Sequence, residues 1–208
     1  MRVGYDAAPL LDTPTGVGRY ADELARALGE RGVEIVRFAV SWGAPRTAGV
    51  RRWRVPARVA RAAWRRFDRP PIERLTGPVD LVHATNFVLP ALAETPGAVT
   101  VHDLSFFRDD TWPGGHRLRD LVPWSVARAG AVLVPTAAIA AEVAGRLGVP
   151  EGRIHVTAEG VAPVFFGAAA LGEAALAELG IRPPYAVATG TIEPRKNLPT
   201  LLDAWRKA

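Results

Sequence analysis

Cysteine is absent from the 208 residues, and only two of the 26 basic residues are lysines. The absence of cysteine excludes disulfides and every zinc or redox centre that needs a thiolate ligand. The four histidines are scattered without metal-ligand spacing, so we expect no metal site. No apolar run approaches the roughly 18 residues that cross a bilayer, and the N-terminus lacks the layout of a secretory signal. We therefore expect a cytoplasmic protein.

The net charge of +5 comes from one segment of the chain. Nine arginines lie between residues 45 and 69, against the single acid Asp68. The remaining chain is slightly acidic, and 49% of all residues are hydrophobic, which is enough for a full core. The composition thus indicates a globular protein with one basic patch.

Short apolar runs alternate with helical patterns, as is typical of a parallel sheet covered on both faces. The sequence predicts strands at 2–7, 33–40, 79–84, 98–102, 131–135 and 153–157. It predicts helices at 17–31, 56–68, 115–129 and 137–147, the last with Thr136 as N-cap and Gly148 at its end. We expect a doubly wound, Rossmann-like α/β fold.

The pattern changes after Thr157. Residues 1–165 are expected to form the first domain and 166–183 a connection rich in small residues. A strand at 185–189, a glycine turn and a helix from Leu198 follow, and one strand with one helix cannot bury a core. We expect 184–208 to be the truncated start of a second Rossmann-like domain.

The first candidate site is Gly16-Val-Gly18-Arg-Tyr20, at the start of a helical run. Glycines there let backbone N–H groups approach a phosphate, and the helix dipole favours its charge. The string also fits G-x-G-x-x-A, a dinucleotide-binding pattern, but it lies about nine residues after the first strand instead of directly behind it. The alternative that stays open is that the glycines only shape the turn and contact no ligand.

The second candidate is His102-Asp103, at the carboxyl end of a buried strand, where ligands bind in open α/β sheets. The imidazole can contact a sugar hydroxyl, and the carboxylate can orient the ring or bind a second hydroxyl. A structural role for both residues stays open. His83 ends the neighbouring strand, and we expect it to be a structural residue.

The third candidate is the segment from Gly190 to Asn197, again between a strand and a helix. Arg195 can bind phosphate oxygens bidentately, Lys196 can act as a point charge, and Glu193 can hold one of these cations. The pattern is typical of a diphosphate site, with a solvated charged loop as the alternative.

These motifs together resemble family 4 retaining glycosyltransferases of the two-domain GT-B kind. The string ATGTIEPRKNLPTLLDAW resembles the start of the second domain of that family, and GVGRY, VHDLSFF, VLVPT and VTAEGVAPVF occur in the order that the family shows. The resemblance implies a hexosyltransferase that takes a GDP- or UDP-linked sugar, with a preference for mannose, and retains the anomeric configuration. It needs no further cofactor.

The resemblance also implies roles for the candidate residues. Arg195 and Lys196 would bind the donor diphosphate, with Gly190 and Glu193 shaping their loop. The glycines at 16 and 18 would approach the same diphosphate, while His102, with Asp103, would position the donor sugar. The family's further donor-binding element is expected beyond residue 208, so the 208 residues alone should be inactive or nearly so.

Residues 54–68 predict an amphipathic helix with Val59, Ala60, Ala63, Trp64 and Phe67 on one stripe and arginines opposite. Such a helix, within the basic segment 51–69, can lie on the inner face of an anionic membrane, where lipid-linked or glycan acceptors are found. It can equally cover the sheet. No nucleic-acid-binding motif accompanies the arginines.

Two other classes of function stay open. One is a non-catalytic module that binds a sugar or nucleotide, and the other is a different sugar-nucleotide enzyme, such as an epimerase or a phosphorylase.

Overall fold

A computed structural model describes residues 1–11, 15–43, 47–108, 115–190, 192 and 194–207. The chain divides into two compact units, Met1–Gly160 and Val161–Ala208. Each is described by itself below.

The first unit contains one seven-stranded sheet in which every neighbouring pair of strands is parallel. The strand order is β3-β2-β1-β4-β5-β6-β7. The strands are β1 (Arg2–Asp6), β2 (Glu34–Val40), β3 (Arg51–Trp53), β4 (Leu81–Ala84), β5 (Gly97–Thr100), β6 (Ala131–Val134) and β7 (Ile154–Val156). The strand order reverses beside β1, as in a doubly wound fold.

Five helices connect these strands: α1 (Gly16–Glu30), α2 (Ala57–Phe67), α3 (Glu73–Thr76), α4 (Gly115–Arg128) and α5 (Ala137–Leu147). The predicted cap of α5 is confirmed, because the Thr136 side chain accepts a hydrogen bond from the Ile139 backbone N–H and Gly148 adopts the left-handed conformation at the other end. Thr15 caps α1 in the same way, through the N–H of Gly18.

The helices cover both faces of the sheet. Leu81 packs in the cluster that α1 forms against β1, whereas Val82 packs in the cluster around Trp64 of α2. Successive residues of a strand point to opposite faces, so α1 and α2 lie on opposite sides. The expectation of a doubly wound, Rossmann-like α/β fold is therefore confirmed.

The first unit differs from the prediction in two elements, β3 and α3. Both are short, and β3 lies inside the arginine-rich segment, where the sequence RRW has no apolar alternation. It forms because its backbone pairs with β2 over three residues. A strand that depends on backbone pairing of this kind is hard to predict from the pattern of its side chains.

The second unit contains α6 (Glu173–Glu178) and α7 (Leu198–Lys207). The strand predicted at 185–189 is wrong, since these residues form no regular structure. A strand needs a neighbouring strand for its backbone groups, and none pairs with it in the described part of this unit. The apolar side chains Leu201, Leu202 and Trp205 of α7 are each about half exposed.

Candidate functional site

Polar side chains gather where three adjacent strands end. β1, β4 and β5 are neighbours in the sheet, so their carboxyl ends meet at one edge. Asp6 ends β1, Thr85 and Asn86 follow β4, and His102 follows β5 by two residues. The predicted position of His102 at this edge is confirmed.

The His102 ring is held through both nitrogens. Nε2 lies 2.9 Å from the backbone carbonyl of Thr85, so this nitrogen carries a proton and donates it. Nδ1 lies 3.3 Å from a carboxylate oxygen of Glu159. This second contact is favourable only when Nδ1 is also protonated, because a lone pair would face the carboxylate. Because Nε2 is taken up by the Thr85 carbonyl, Nδ1 is the nitrogen left for a ligand.

Two aromatic rings clamp His102 edge-on. Tyr20 of α1 lies 4.9 Å from it between ring centroids, and Phe87 lies 5.8 Å away on another side. The Tyr20 hydroxyl also bonds to Thr100 Oγ1 at 3.1 Å. Since Tyr20 follows Gly16 by one helical turn, the structure brings the first and second candidate sites together.

His83 has the structural role expected of it. It is buried, and its Nε2 lies 2.9 Å from Thr100 Oγ1. Burial, together with the neighbouring His102, lowers its pKa to about 4. His83 is therefore neutral at physiological pH and belongs to the core.

The two glycines at the start of α1 have different surroundings. A Cβ at Gly18 would lie 2.8 Å from the backbone oxygen of Pro9, so Gly18 is needed for close packing. A Cβ at Gly16 would meet nothing within 4 Å. The Gly18 N–H already donates to Thr15, whereas the Gly16 N–H has no hydrogen-bond partner among the described residues.

Asp103 shapes the turn that follows it. One carboxylate oxygen accepts from the backbone N–H of Ser105 at 2.8 Å and from its hydroxyl at 2.6 Å. Glu159 and Thr85, rather than Asp103, orient the His102 ring. These two contacts leave neither ring nitrogen for Asp103, and its other expected role, binding a second hydroxyl, stays a prediction.

The third candidate segment lies in the second unit. Gly190 has a φ of +143°, which side-chain-bearing residues rarely adopt, and the Lys196 side chain passes beside it. Lys196 is exposed. Glu193 and the side chain of Arg195 lie outside the described residues, so their predicted roles stay predictions.

Helix α2 divides its apolar residues between core and surface. Ala60 and Trp64 are buried, and the Trp64 indole N–H donates to the backbone of Pro70 at 3.0 Å. Val59 and Phe67 are 54% and 66% exposed. The predicted apolar stripe is thus only partly used to cover the sheet, and its residues Val59 and Phe67 stay exposed.

Arg61 also departs from its predicted place on the outer face of α2. It lines a small pocket at the sheet edge together with Asp6 and Asn86. Burial lowers its pKa, which the carboxyl of Asp6 partly counteracts.

Within the described ranges, no helix combines the length and apolarity that would cross a membrane. No group of three or more histidines and carboxylates able to hold a metal ion occurs there either.

The sequence profile described as Glycosyltransferase Family 4 matches residues 14–165, about three quarters of the chain. The chain belongs to this family. No curated protein sequence matches it. This family membership implies a sugar donor and an acceptor as the substrates.

The matched range contains α1, the His102 clamp and Glu159, and it ends before the Gly190 segment. Sequence reasoning missed Asp6 and Glu159 as members of the site, and it included Tyr20 in the glycine string without a role beside His102. An acid at the end of the first buried strand is a signal that could have identified Asp6. Nothing local in sequence marks Glu159, which reaches His102 only because β7 ends at the same sheet edge.

Proposed function

We propose that this glycosyltransferase transfers a hexose, with mannose preferred, from a GDP- or UDP-linked donor with retention of configuration. The observation that supports this proposal is the position of His102, which packs against Tyr20 near the N-terminal glycines of α1, within the range that matches the family. The acceptor is a glycan or a lipid-linked sugar.

His102 is proposed to contact the donor sugar through Nδ1. Its Nε2 is engaged by the Thr85 carbonyl, and its ring is fixed by Tyr20 and Phe87. A sugar hydroxyl can take the position that the Glu159 carboxylate occupies and donate a hydrogen bond to the Nδ1 lone pair, which is the acceptor when Nε2 carries the proton. Such a contact adds to catalysis to the extent that it strengthens in the transition state.

The donor diphosphate is proposed to bind Lys196 and Arg195. Within the first unit, the N–H of Gly16 at the start of α1 is proposed as a phosphate contact of its own. We infer that residues 184–208 contribute to a second, donor-binding domain of the GT-B kind. The leaving diphosphate gains negative charge during transfer, so fixed cations stabilise the transition state more than the ground state. Lys196 supports this proposal because its exposed ammonium lies at the glycine turn before α7.

The test uses the polypeptide encoded by the whole gene. Lys196→Ala should weaken binding of GDP or UDP by about 1.5 to 3 kcal/mol, the range for a lost charge-assisted contact. Lys207→Ala is the matched control, since it removes the chain's other lysine from the exposed end of α7. Calorimetric titration that gives the same affinity for both variants would overturn the diphosphate proposal.

His102→Ala should leave the affinity for the sugar-free nucleotide unchanged and lower kcat, because its partner is the sugar. Steady-state rates with the intact nucleotide sugar measure this. Nucleotide binding without any transfer would favour a non-catalytic module, and interconversion of the sugar nucleotide without an acceptor would favour an epimerase.

We further propose that α2 contacts an anionic membrane from which a lipid-linked acceptor is reached. Val59 and Phe67 are exposed among the arginines of residues 51–69, and Arg66 lies over the Phe67 ring. Exposed apolar side chains beside arginines suit the interface of an anionic bilayer. The enzyme would then be peripheral on the inner face of the cell membrane.

Sedimentation with lipid vesicles tests the membrane proposal. The protein should bind vesicles of phosphatidylglycerol and not of phosphatidylcholine, and the double variant Val59→Ser, Phe67→Ser should lose this binding. Trp42→Ser is the control, because Trp42 is equally exposed outside α2. Equal loss in both variants would contradict a specific role for the helix.

A further inference from the structure

A small polar pocket opens at the carboxyl ends of β1 and β4, under α2. Its cavity volume is about 40 Å³, room for about three groups the size of a water molecule. Asp6, Arg61 and Asn86 supply its polar atoms. The apolar wall consists of Phe38, Val40, Trp64, Val88 and Pro90, with Ala8 and Ala57 between.

The polar groups of this pocket are not satisfied by one another. Asn86 Oδ1 is buried without a hydrogen-bond partner among the described residues. One oxygen of Asp6 accepts from the Ala8 N–H at 2.9 Å, and the described residues supply no donor to the second oxygen. Arg61 is half-buried, and in the described part of the chain it forms neither a hydrogen bond nor an ion pair. Buried polar groups in native proteins are ordinarily paired, so Asn86 Oδ1 requires a donor, while Asp6 and Arg61, whose charges attract each other, keep hydrogen-bonding capacity for a ligand.

The pocket atoms define the chemistry of that ligand. Two acceptors, on Asp6 and Asn86, need donors, and the Arg61 guanidinium needs an acceptor. A hydroxyl group both donates and accepts, so two adjacent hydroxyls satisfy all three groups within the available volume. A phosphate or carboxylate would instead face the Asp6 carboxylate and be repelled.

The pocket is linked to His102 by short contacts. The Thr85 hydroxyl donates to the backbone oxygen of Asp6 at 2.8 Å, and the Thr85 carbonyl accepts from His102. Phe87, next to Asn86, has a φ of +64° and places its ring against His102. A positive φ is an outlier for a bulky residue, and here it fixes the turn between the pocket and the histidine.

We propose that Asp6, Arg61 and Asn86 form a subsite that binds two adjacent hydroxyls of the sugar acceptor. The assignment of the diol to the acceptor rests on the proposed glycosyl transfer, whereas the diol site itself rests on the pocket alone. The acceptor would be held one residue away from the backbone that fixes His102.

The Asp6 carboxyl makes this binding dependent on pH. Burial raises the pKa of Asp6 to about 6, although the Ala8 N–H and Arg61 lower it in part. A diol donates to the ionised carboxylate, so its affinity should fall as Asp6 becomes protonated below pH 6. At pH 5 about nine tenths of Asp6 would be protonated, which predicts a loss of several-fold relative to pH 7.

The test titrates the 208-residue chain with erythritol, a four-carbon polyol with adjacent hydroxyls, and with 1,4-butanediol, which lacks the inner two. Two-dimensional NMR follows the Ala8 amide, the Asn86 side-chain amide and the Trp64 indole. Erythritol should shift all three saturably, and butanediol should bind at least about tenfold more weakly, as expected for lost hydrogen bonds to a charged group.

Asp6→Asn and Asn86→Leu should each lower the erythritol affinity about tenfold. Asp22→Asn, which removes the same charge from an exposed position of α1, should leave it unchanged. The NMR spectrum itself reports whether each variant is folded. Equal binding of both alcohols, the absence of saturable shifts, or unchanged affinity in both pocket variants would overturn the proposal.

These outcomes are separate from the test of glycosyl transfer, since no nucleotide is present. If the chain binds the diol but the whole gene product shows no transfer activity, the diol site is supported and its assignment to an acceptor is contradicted. Transfer activity without diol binding would remove the site alone.

Discussion

Asp6→Asn tests the electrostatics of the sheet edge through protein stability. The pKa of Asp6 is raised by burial from its ordinary 3.8 to about 6. A group with a raised pKa contributes stability that is complete below pH 3.8 and is lost as pH rises through 6. Between pH 4 and pH 7 this loss amounts to about 2 kcal/mol in the free energy of unfolding.

His83 acts in the opposite direction over the same range. Its pKa is lowered by burial from 6.5 to about 4, so its contribution is complete above pH 6.5 and is lost as pH falls toward 4. The full loss is about 3 kcal/mol. The two residues therefore largely compensate, and the wild type should show little net pH dependence from them.

Urea unfolding of wild type and Asp6→Asn at pH 4, 5, 6 and 7 separates the two contributions. His83 is common to both proteins and cancels in the difference. The variant should gain about 2 kcal/mol relative to wild type between pH 4 and pH 7. It should also show the falling stability at low pH that His83 causes. A difference that is the same at every pH would refute the reasoning, because it would show that Asp6 titrates alike in the folded and unfolded states.

Two further predictions concern packing and helix ends. Gly18→Ala should destabilise the protein by about 1 to 3 kcal/mol because the new methyl group meets a backbone oxygen, whereas Gly16→Ala points into open space and should be nearly neutral. Thermal unfolding of both variants checks this, and equal melting temperatures would contradict it. Arg153 donates to three backbone carbonyls at the end of α4, at 2.9 to 3.4 Å. Arg153→Met should therefore cost about 1.5 to 3 kcal/mol in urea unfolding. The exposed Arg182→Met should cost less than about 0.5 kcal/mol, and an equal cost would rule out the capping role.

The sequence predicted those parts of the fold that depend on local pattern. Six strands of the sheet and the four longer helices of the first unit were placed within one or two residues of their observed ends. Thr136 and Gly148 identified the two ends of α5 because capping depends on residue type at a single position.

The errors come from features that depend on distant neighbours. The apolar run at 185–189 reads as a strand, yet a strand forms only where a partner supplies backbone hydrogen bonds. Residues 51–53 show the reverse, since their pairing with β2 outweighs an unfavourable sequence.

The site was predicted in its positions and less well in its contacts. His102 was located correctly because strand ends in a parallel sheet are a property of topology. Its partners Tyr20, Thr85 and Glu159 come from three other parts of the chain. Arg61 was assigned to the outer face because helical periodicity does not resolve side chains at the border between two faces.

The Tyr20 side chain has a consequence for how the site responds to ligands. Burial raises its pKa, despite its bond to Thr100, so the phenol keeps its proton at neutral pH and joins α1 permanently to β5. A ligand that draws the first turn of α1 toward itself must therefore also shift the ring edge that bears on His102. Contacts that a bound donor makes at the first turn of α1 and at His102 would therefore be coupled through the Tyr20 side chain, over a distance of one helical turn.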